Sequence, residues 1–590
     1  MAQLTQGAAA SFYSFGNASS FTNVPVPEVA KSLYLSALQQ PYAAVGITLV
    51  LAVLLGSVLG FGKKKLPPGV KPLPMHSGLP PEPGIEAAWY FGALHKKYGP
   101  IYAWKIMGIT HIWIETDEVS RDLFVKRQRK YCDRNPLPAS VGIREGKEVL
   151  PLMAYSETWK RYKNFMHFIM KDASPKAFYG WPAIENKRTI RRLLEAPERW
   201  SEHMIVHCSR TIGSIAWGDP EHGNKLLTIV PELLKAVSPA GPLINKLTFL
   251  MHLPAFISPW KRSEARRKQE MTEAFYEALD DVKERMKTGD VQPCWSTLWW
   301  DENAKGVDAK KLDYHEAAHA IGSSSFVAIA TIGGPLHAFF LAMCHYPEWL
   351  PKMQEEIDRV CGDRLPAAED IPNMPRLRAT TKEMLRWRQS TPLGVPHVTL
   401  EDDIYNGYYI PKGAICHANN YLISREPKQF PKADQFIPER WLDPAYPTYK
   451  EPLTEFPNLR GDIAFGYGNR GCPGTDLTSL ELFTLFGALA AVYDIKKPEG
   501  TDHLPWYEVH PYVITMTLPF PVDIKPRSEK KRQWILDNCQ DAGWTLKTKD
   551  QVTSRWDVLD KEKDGSPFSW QGVCVPYVRP KVPRVYPEGV

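Results

Sequence analysis

One string in this 590-residue chain concentrates unusual chemistry: Phe465-Gly-Tyr-Gly-Asn-Arg-Gly-Cys-Pro-Gly474. Its glycines and its proline exclude a helix interior or a regular strand and dictate a tight loop. A single thiol, Cys472, sits in that loop. TDLTSLELFTLFGALAAVY follows directly and reads as an amphipathic helix. A cysteine just before a helix N-terminus meets free backbone N–H groups and the positive end of the helix dipole. Arg470, two residues earlier, adds positive charge. Both favour thiolate over thiol, and the thiolate is the form that ligates metals. A turn carrying an incidental cysteine is the other reading.

His315-Glu-Ala-Ala-His319 offers different chemistry. Histidines at i and i+4 share a helix face and can bind zinc. Glu316 stands where a metalloprotease keeps its general base. A third ligand at the expected downstream spacing is missing, which leaves an HExxH zinc metalloprotease as the remote alternative.

Elements must hold these groups in place. Apolar residues recur at helical spacing over 188–215, 263–287, 311–345, 376–389 and 475–493. Strand-like pieces are short: Ile101–Ile106, His111–Glu115, His397–Leu400 and Tyr512–Leu518. There is no regular βα alternation and no GxGxxG, so a dinucleotide-binding domain is not indicated. Tyr42–Gly62 is uncharged and apolar, and a bilayer needs about 20 such residues. Lys63, Lys64 and Lys65 follow, which places the rest of the chain in the cytoplasm. A cleaved signal peptide is the rival, but the run starts late and lacks a basic n-region. Pro67, Pro68, Pro72, Pro74, Pro80, Pro81 and Pro83 then stiffen a spacer. The expected organisation is a lumenal segment 1–41, a transmembrane anchor 42–62, a hinge 63–84, a catalytic body 85–527 and an extension 528–590 of unassigned role. Asn17 lies in a lumenal sequon, and Gly56 and Gly60 form a small-xxx-small pair.

Composition narrows the class. The chain is 44% hydrophobic and 23% charged, which is globular. A net charge of +6 spread over its length is nearly neutral and gives no case for a nucleic-acid binder. Nine cysteines at this density do not make a disulfide scaffold.

The Cys472 string matches FxxGxRxCxG, the heme-binding signature of the cytochrome P450 family, at Phe465, Gly468, Arg470, Cys472 and Gly474. The resemblance implies the mainly α cytochrome P450 fold with small β-sheets. It implies heme b as cofactor, with the Cys472 thiolate as axial iron ligand. Phe465 then packs beside the sulfur, and the glycines let the backbone approach the porphyrin. Glu383-Met-Leu-Arg386 matches ExxR, and Phe436-Ile-Pro-Glu-Arg-Trp441 resembles the segment whose arginine, here Arg440, joins that pair in a structural network. Trp159-Lys-Arg-Tyr-Lys163 resembles WxxxR, with Lys163 in place of the usual arginine. Trp159, Lys163, His397 and Arg470 are the implied neighbours of the heme propionates; a surface strand histidine is the other reading of His397.

In the long central helix the family carries an acid before its oxygen-contact threonine. Thr331 takes the threonine position, but Ala330 replaces the acid. Proton delivery is then slowed or rerouted. Pro335 removes a hydrogen bond to the Thr331 carbonyl. The expectation is an opening there, with a free carbonyl or a water beside the distal site, or else an earlier end to the helix. Family position implies a lipophilic substrate pocket lined by a loop near Pro136–Pro151 and by Ser324, Val327, Ala328, Leu393, Val395 and Ile514. The apolar stretch 246–260 and its basic rim resemble a lid that dips into the membrane; a buried loop under a solvated helix is the alternative.

These readings converge on a single-pass endoplasmic reticulum protein with a cytosolic heme-thiolate monooxygenase body, similar to fungal members of secondary metabolism. NADPH-cytochrome P450 reductase is the implied electron donor, with cytochrome b5 as a further partner. Dehydration, rearrangement, oxidative coupling or peroxide-driven chemistry is the alternative raised by Ala330.

Overall fold

The computed structural model describes residues 65–70, 85–106, 109–134, 148–172, 178–237, 250, 253–301, 312–510 and 512–539. The expected lumenal segment and anchor, most of the hinge, the loop 136–147 and the extension from 540 onward lie outside them.

The two most apolar helices lie at the centre. Tyr314–His345 and Thr475–Val492 are long and apolar enough to cross a membrane, yet both are mostly buried inside the protein. Their sequences are hydrophobic nearly all round, which suits core helices. The first starts at a capping box: the Asp313 carboxylate accepts from the Glu316 N–H at 2.8 Å. Trp181–Glu195, Trp200–Trp217, Pro259–Thr288, Trp349–Cys361 and Pro375–Trp387 pack around this pair. The helix expected over 188–215 is in fact two. Ala196 leaves the helical region ahead of Pro197, and Pro197–Arg199 forms a 3-10 turn. The ring of Pro197 disfavours helical backbone in the residue before it.

The central helix does not stop at Gly333-Gly334-Pro335; it runs to His345. Its missing hydrogen bond is replaced. Ser390 Oγ donates to the Thr331 carbonyl at 2.6 Å. The expected free carbonyl or water is therefore corrected: a side chain from another segment fills that place. Gly334 permits the approach, since a Cβ there would stand 2.7 Å from Ser390 Oγ and 2.9 Å from the Thr515 carbonyl. Ser390→Ala removes this donor from the half-buried Thr331 carbonyl, at a cost of about 1 kcal/mol. Urea unfolding of the holoprotein is expected to show a lowered midpoint with an unchanged slope.

A five-stranded sheet flanks the helices, in the order Gly69–Val70, Ile101–Ile106, Ile109–Ile114, Ile415–Ala418, His397–Val398. His397 pairs with Cys416 across an antiparallel ladder. The strand expected at Tyr512–Leu518 reduces to one bridge, Val509 to Thr517, because Thr515 spends its N–H on the Ser390 carbonyl at 2.7 Å. The described start of the extension is ordered. Glu529–Asn538 is a helix that packs on Trp181–Glu195, burying Ile535 and Cys539. Arg527 pairs with Asp358 at 2.6 Å and Lys530 with Asp363 at 2.9 Å.

Candidate active site

The cysteine loop is built by short local bonds. Asp462 caps the turn Ile463–Phe465 by accepting from the Ala464 N–H at 3.0 Å. The Cys472 N–H donates to the Phe465 carbonyl at 2.7 Å and closes the loop. Gly468 has φ of 55°, and a Cβ there would fall 2.1 Å from the Phe124 carbonyl, so only glycine fits. The Gly474 N–H donates to Cys472 Sγ at 3.3 Å.

Cys472 is the exposed cysteine among the described residues, but what it meets is an internal cavity. That cavity encloses about 1550 Å³, its mouth included, between the cysteine loop and the central helix. Removal from bulk water pushes the Cys472 thiol up, and the Gly474 N–H pulls it back down. Ser324, Val327, Ala328 and Thr331 line the cavity from the central helix, and Val395 lines it from the segment before the strand at His397. Leu393 and Ile514 do not line it. Leu393 packs with the clusters around Phe91 and Tyr421, and Ile514 packs against the main core. Ala330 is buried and also faces away from the cavity.

The charge in the cavity wall is one-sided. Arg134, Lys163, His167, His397 and Arg470 line it, and no Asp or Glu does among the described residues. The Arg470 guanidinium lies 4.2 Å from the centre of the Trp159 ring. Its Nε donates to the Cys132 carbonyl at 2.7 Å, while both Nη atoms are buried without a partner. Burial pushes Arg470 down to about 10 and Arg134 down to about 9. Arg134 is a cavity cation that no sequence motif marks. Its Nη1 donates to the Val395 and Pro396 carbonyls at 2.9 and 2.8 Å, an anchorage set by tertiary contact.

Lys163 and His397 are already engaged. Lys163 Nζ donates to the Asn469 carbonyl at 2.9 Å, so it braces the cysteine loop, and burial lowers its pKa. His397 donates from Nδ1 to the Tyr131 carbonyl at 2.7 Å and stacks on Phe124 at 4.1 Å. Burial holds it well below the usual histidine range, so the ring is neutral. Its Nε2 is then an acceptor.

The expected structural network is assembled and fully buried. Arg386 grips Glu383 twice, at 2.7 and 2.9 Å, and Arg440 Nε reaches it at 3.2 Å. Sequence reasoning missed two further donors to Glu383, the Ile437 N–H at 2.9 Å and Trp441 Nε1 at 3.1 Å. Both arginines also donate to backbone carbonyls of 424–435.

The site fits heme. A thiol faces the cavity, and the buried Arg470 guanidinium, with both Nη groups unused, suits a porphyrin carboxylate. The protease reading fails on Glu316, which is spent on Arg161 and on the Asp313 N–H.

Comparison with known proteins agrees. A family profile described as Cytochrome P450 matches residues 67–522. The chain is 31% identical over 507 residues to cytochrome P450 monooxygenase claR of Ampulloclitocybe clavipes, covering 83% of this chain and 92% of that one. It is 29% identical over 510 residues to cytochrome P450 monooxygenase fogE of Aspergillus ruber, with the same coverage. A zebra fish cytochrome P450 solved with progesterone superposes with a TM-score of 0.61 at 19% identity, over 75% of this chain and 99% of that chain. The chain belongs to the cytochrome P450 family and is a heme-dependent, oxygen-incorporating oxidoreductase.

Proposed function

We propose that this protein oxidises a lipophilic small molecule with O2, using electrons passed from NADPH by a separate reductase, in a fungal secondary-metabolite pathway. The observation that carries this reading is Cys472 opening onto a largely apolar cavity beneath Thr331, with unpartnered cationic donors at its edge. Heme bound to the Cys472 thiolate supplies the activation of O2. The chain's own residues do the rest. The Gly474 N–H stabilises the anionic sulfur, and Phe465 shields it. Arg470 and Trp159 hold the carboxylate edge of the porphyrin, with Arg134 and Lys163 bracing the segments on either side. Val327, Ala328 and Val395 present apolar surface to the substrate and exclude water.

Proton supply is the unusual part. Thr331 Oγ1 donates to the Val327 carbonyl at 2.9 Å, and no carboxylate lines the cavity among the described residues. Protons therefore pass through hydroxyls and water. This favours a second reading, a heme-thiolate reaction that bypasses proton delivery to O2, such as dehydration, rearrangement or peroxide use. The test is Thr331→Val, compared with wild type for product formed per NADPH consumed. Monooxygenation through Thr331 predicts a fall of about tenfold or more with heme binding intact. An unchanged ratio excludes Thr331 as the proton carrier and favours the second reading.

The fungal relatives support the pathway class. Phe256 and Ile257 are 78% and 52% exposed beside Lys261 and Arg262. Apolar tips under a basic rim suit an anionic bilayer surface, in keeping with an endoplasmic reticulum anchor at 42–62. NADPH-cytochrome P450 reductase is the proposed donor, with cytochrome b5 as a second route.

A further inference from the structure

His315 and His319 do not line the heme cavity, yet they are not idle. Glu148, 167 residues before His315, folds back against them. Its Oε1 lies 3.3 Å from His315 Nε2, and its Oε2 lies 3.8 Å from His319 Nδ1. One atom from each residue falls within 4.8 Å of the others. A tetrahedral zinc ion with bonds of about 2.0–2.1 Å separates its ligands by little more than 3 Å.

The second ring nitrogens are anchored. Tyr276 Oη holds His315 Nδ1 at 2.6 Å, and Thr272 Oγ1 holds His319 Nε2 at 3.3 Å. Each ring is thereby turned so that its other nitrogen faces Glu148, the arrangement that orients ligands at metal sites. His319 is fully buried, and its Nδ1 has no hydrogen-bond partner. A buried ring nitrogen left unpaired beside a carboxylate has no structural pay-off of its own.

We propose that Glu148, His315 and His319 form a binding site for a divalent ion of the zinc class, separate from the heme. Lys268 competes for it: its Nζ sits 3.0 and 2.9 Å from the two Glu148 oxygens and must swing out when the ion enters. The ion ties the segment at Glu148 to the helix Tyr314–His345, whose two histidines are held in turn by Thr272 and Tyr276 of the helix Pro259–Thr288. Leu150 and Pro151, just beyond Glu148, line the heme cavity, so the site braces one wall of the substrate pocket. It is not a protease centre, because Glu316 is committed elsewhere.

The test is calorimetric titration of the full-length, heme-loaded protein with zinc chloride, in a buffer that does not bind metal and with any affinity tag removed. Wild type is expected to take up one equivalent that His315→Gln and Glu148→Gln lose, with affinity falling about tenfold or more. His222→Gln, at a different acidic-histidine cluster, keeps that equivalent. Lys268→Met, which removes the competing ammonium, tightens binding. His315 is part-exposed, so its variant remains informative even if Glu148→Gln fails to fold. Absence of zinc uptake by wild type, or uptake unchanged in His315→Gln, overturns the proposal. So does binding that Lys268→Met leaves unchanged or weakens.

Discussion

Cys472→Ala yields a protein that holds little heme and turns over no substrate. The sulfur is the metal-ligating atom that faces the cavity from the cysteine loop, and the loop's bonds exist to place it. The Phe465 carbonyl fixes its backbone and the Gly474 N–H faces its sulfur. Removing the sulfur frees the Gly474 N–H but leaves the backbone bond that closes the loop in place. The apoprotein should therefore keep its helical circular dichroism while heme content, measured as the pyridine complex, drops to a small fraction of wild type. Cys472→Ser is expected to lie close to alanine, since a neutral hydroxyl does not replace a thiolate. Full heme loading with normal turnover in Cys472→Ala contradicts the proposed role.

Glu383→Ala is expected to be the most damaging change away from the cavity. Glu383 accepts from Arg386, Arg440, the Ile437 N–H and Trp441 Nε1; its side chain and that of Arg440 are fully buried. Truncating it leaves two buried guanidiniums without their counter-charge. Breaking a buried pair in this way costs about 3–5 kcal/mol, a large share of the roughly 5–15 kcal/mol that holds a domain folded. The expected outcome is little or no holoprotein. Trp441→Phe removes one donor and trims the indole to a smaller ring, so it should cost only about 1–3 kcal/mol and still load heme. Equal damage from both substitutions means the tryptophan ring packing, and not the charge network, holds this corner.

The parts legible in the sequence are those fixed by local chemistry. The cysteine loop reads from its glycines because Gly468 has no room for a side chain beside Phe124. Glu383 and Arg386 read from their spacing because three residues span one helix face. What escaped depends on segments meeting from far apart. Pro335 announces a broken hydrogen bond, but nothing near it announces that Ser390 repairs it. HExxH lacks a third ligand when only the downstream sequence is searched; Glu148 comes from upstream. Lys163 sits at the expected place, yet a flexible ammonium with three donors can brace the Asn469 carbonyl as readily as a propionate. Arg134 carries no motif, because backbone carbonyls position it and their placement is a property of the fold.

The central claim is that Cys472 binds heme iron as a thiolate and so makes this chain an oxygen-activating enzyme. Its most direct test is the difference spectrum of the purified full-length protein, reduced and exposed to carbon monoxide. One heme per chain and a Soret band at ~450 nm, the mark of a thiolate ligand, are expected. Stoichiometric heme with the band displaced to shorter wavelength, at the position of a neutral or histidine ligand, contradicts it.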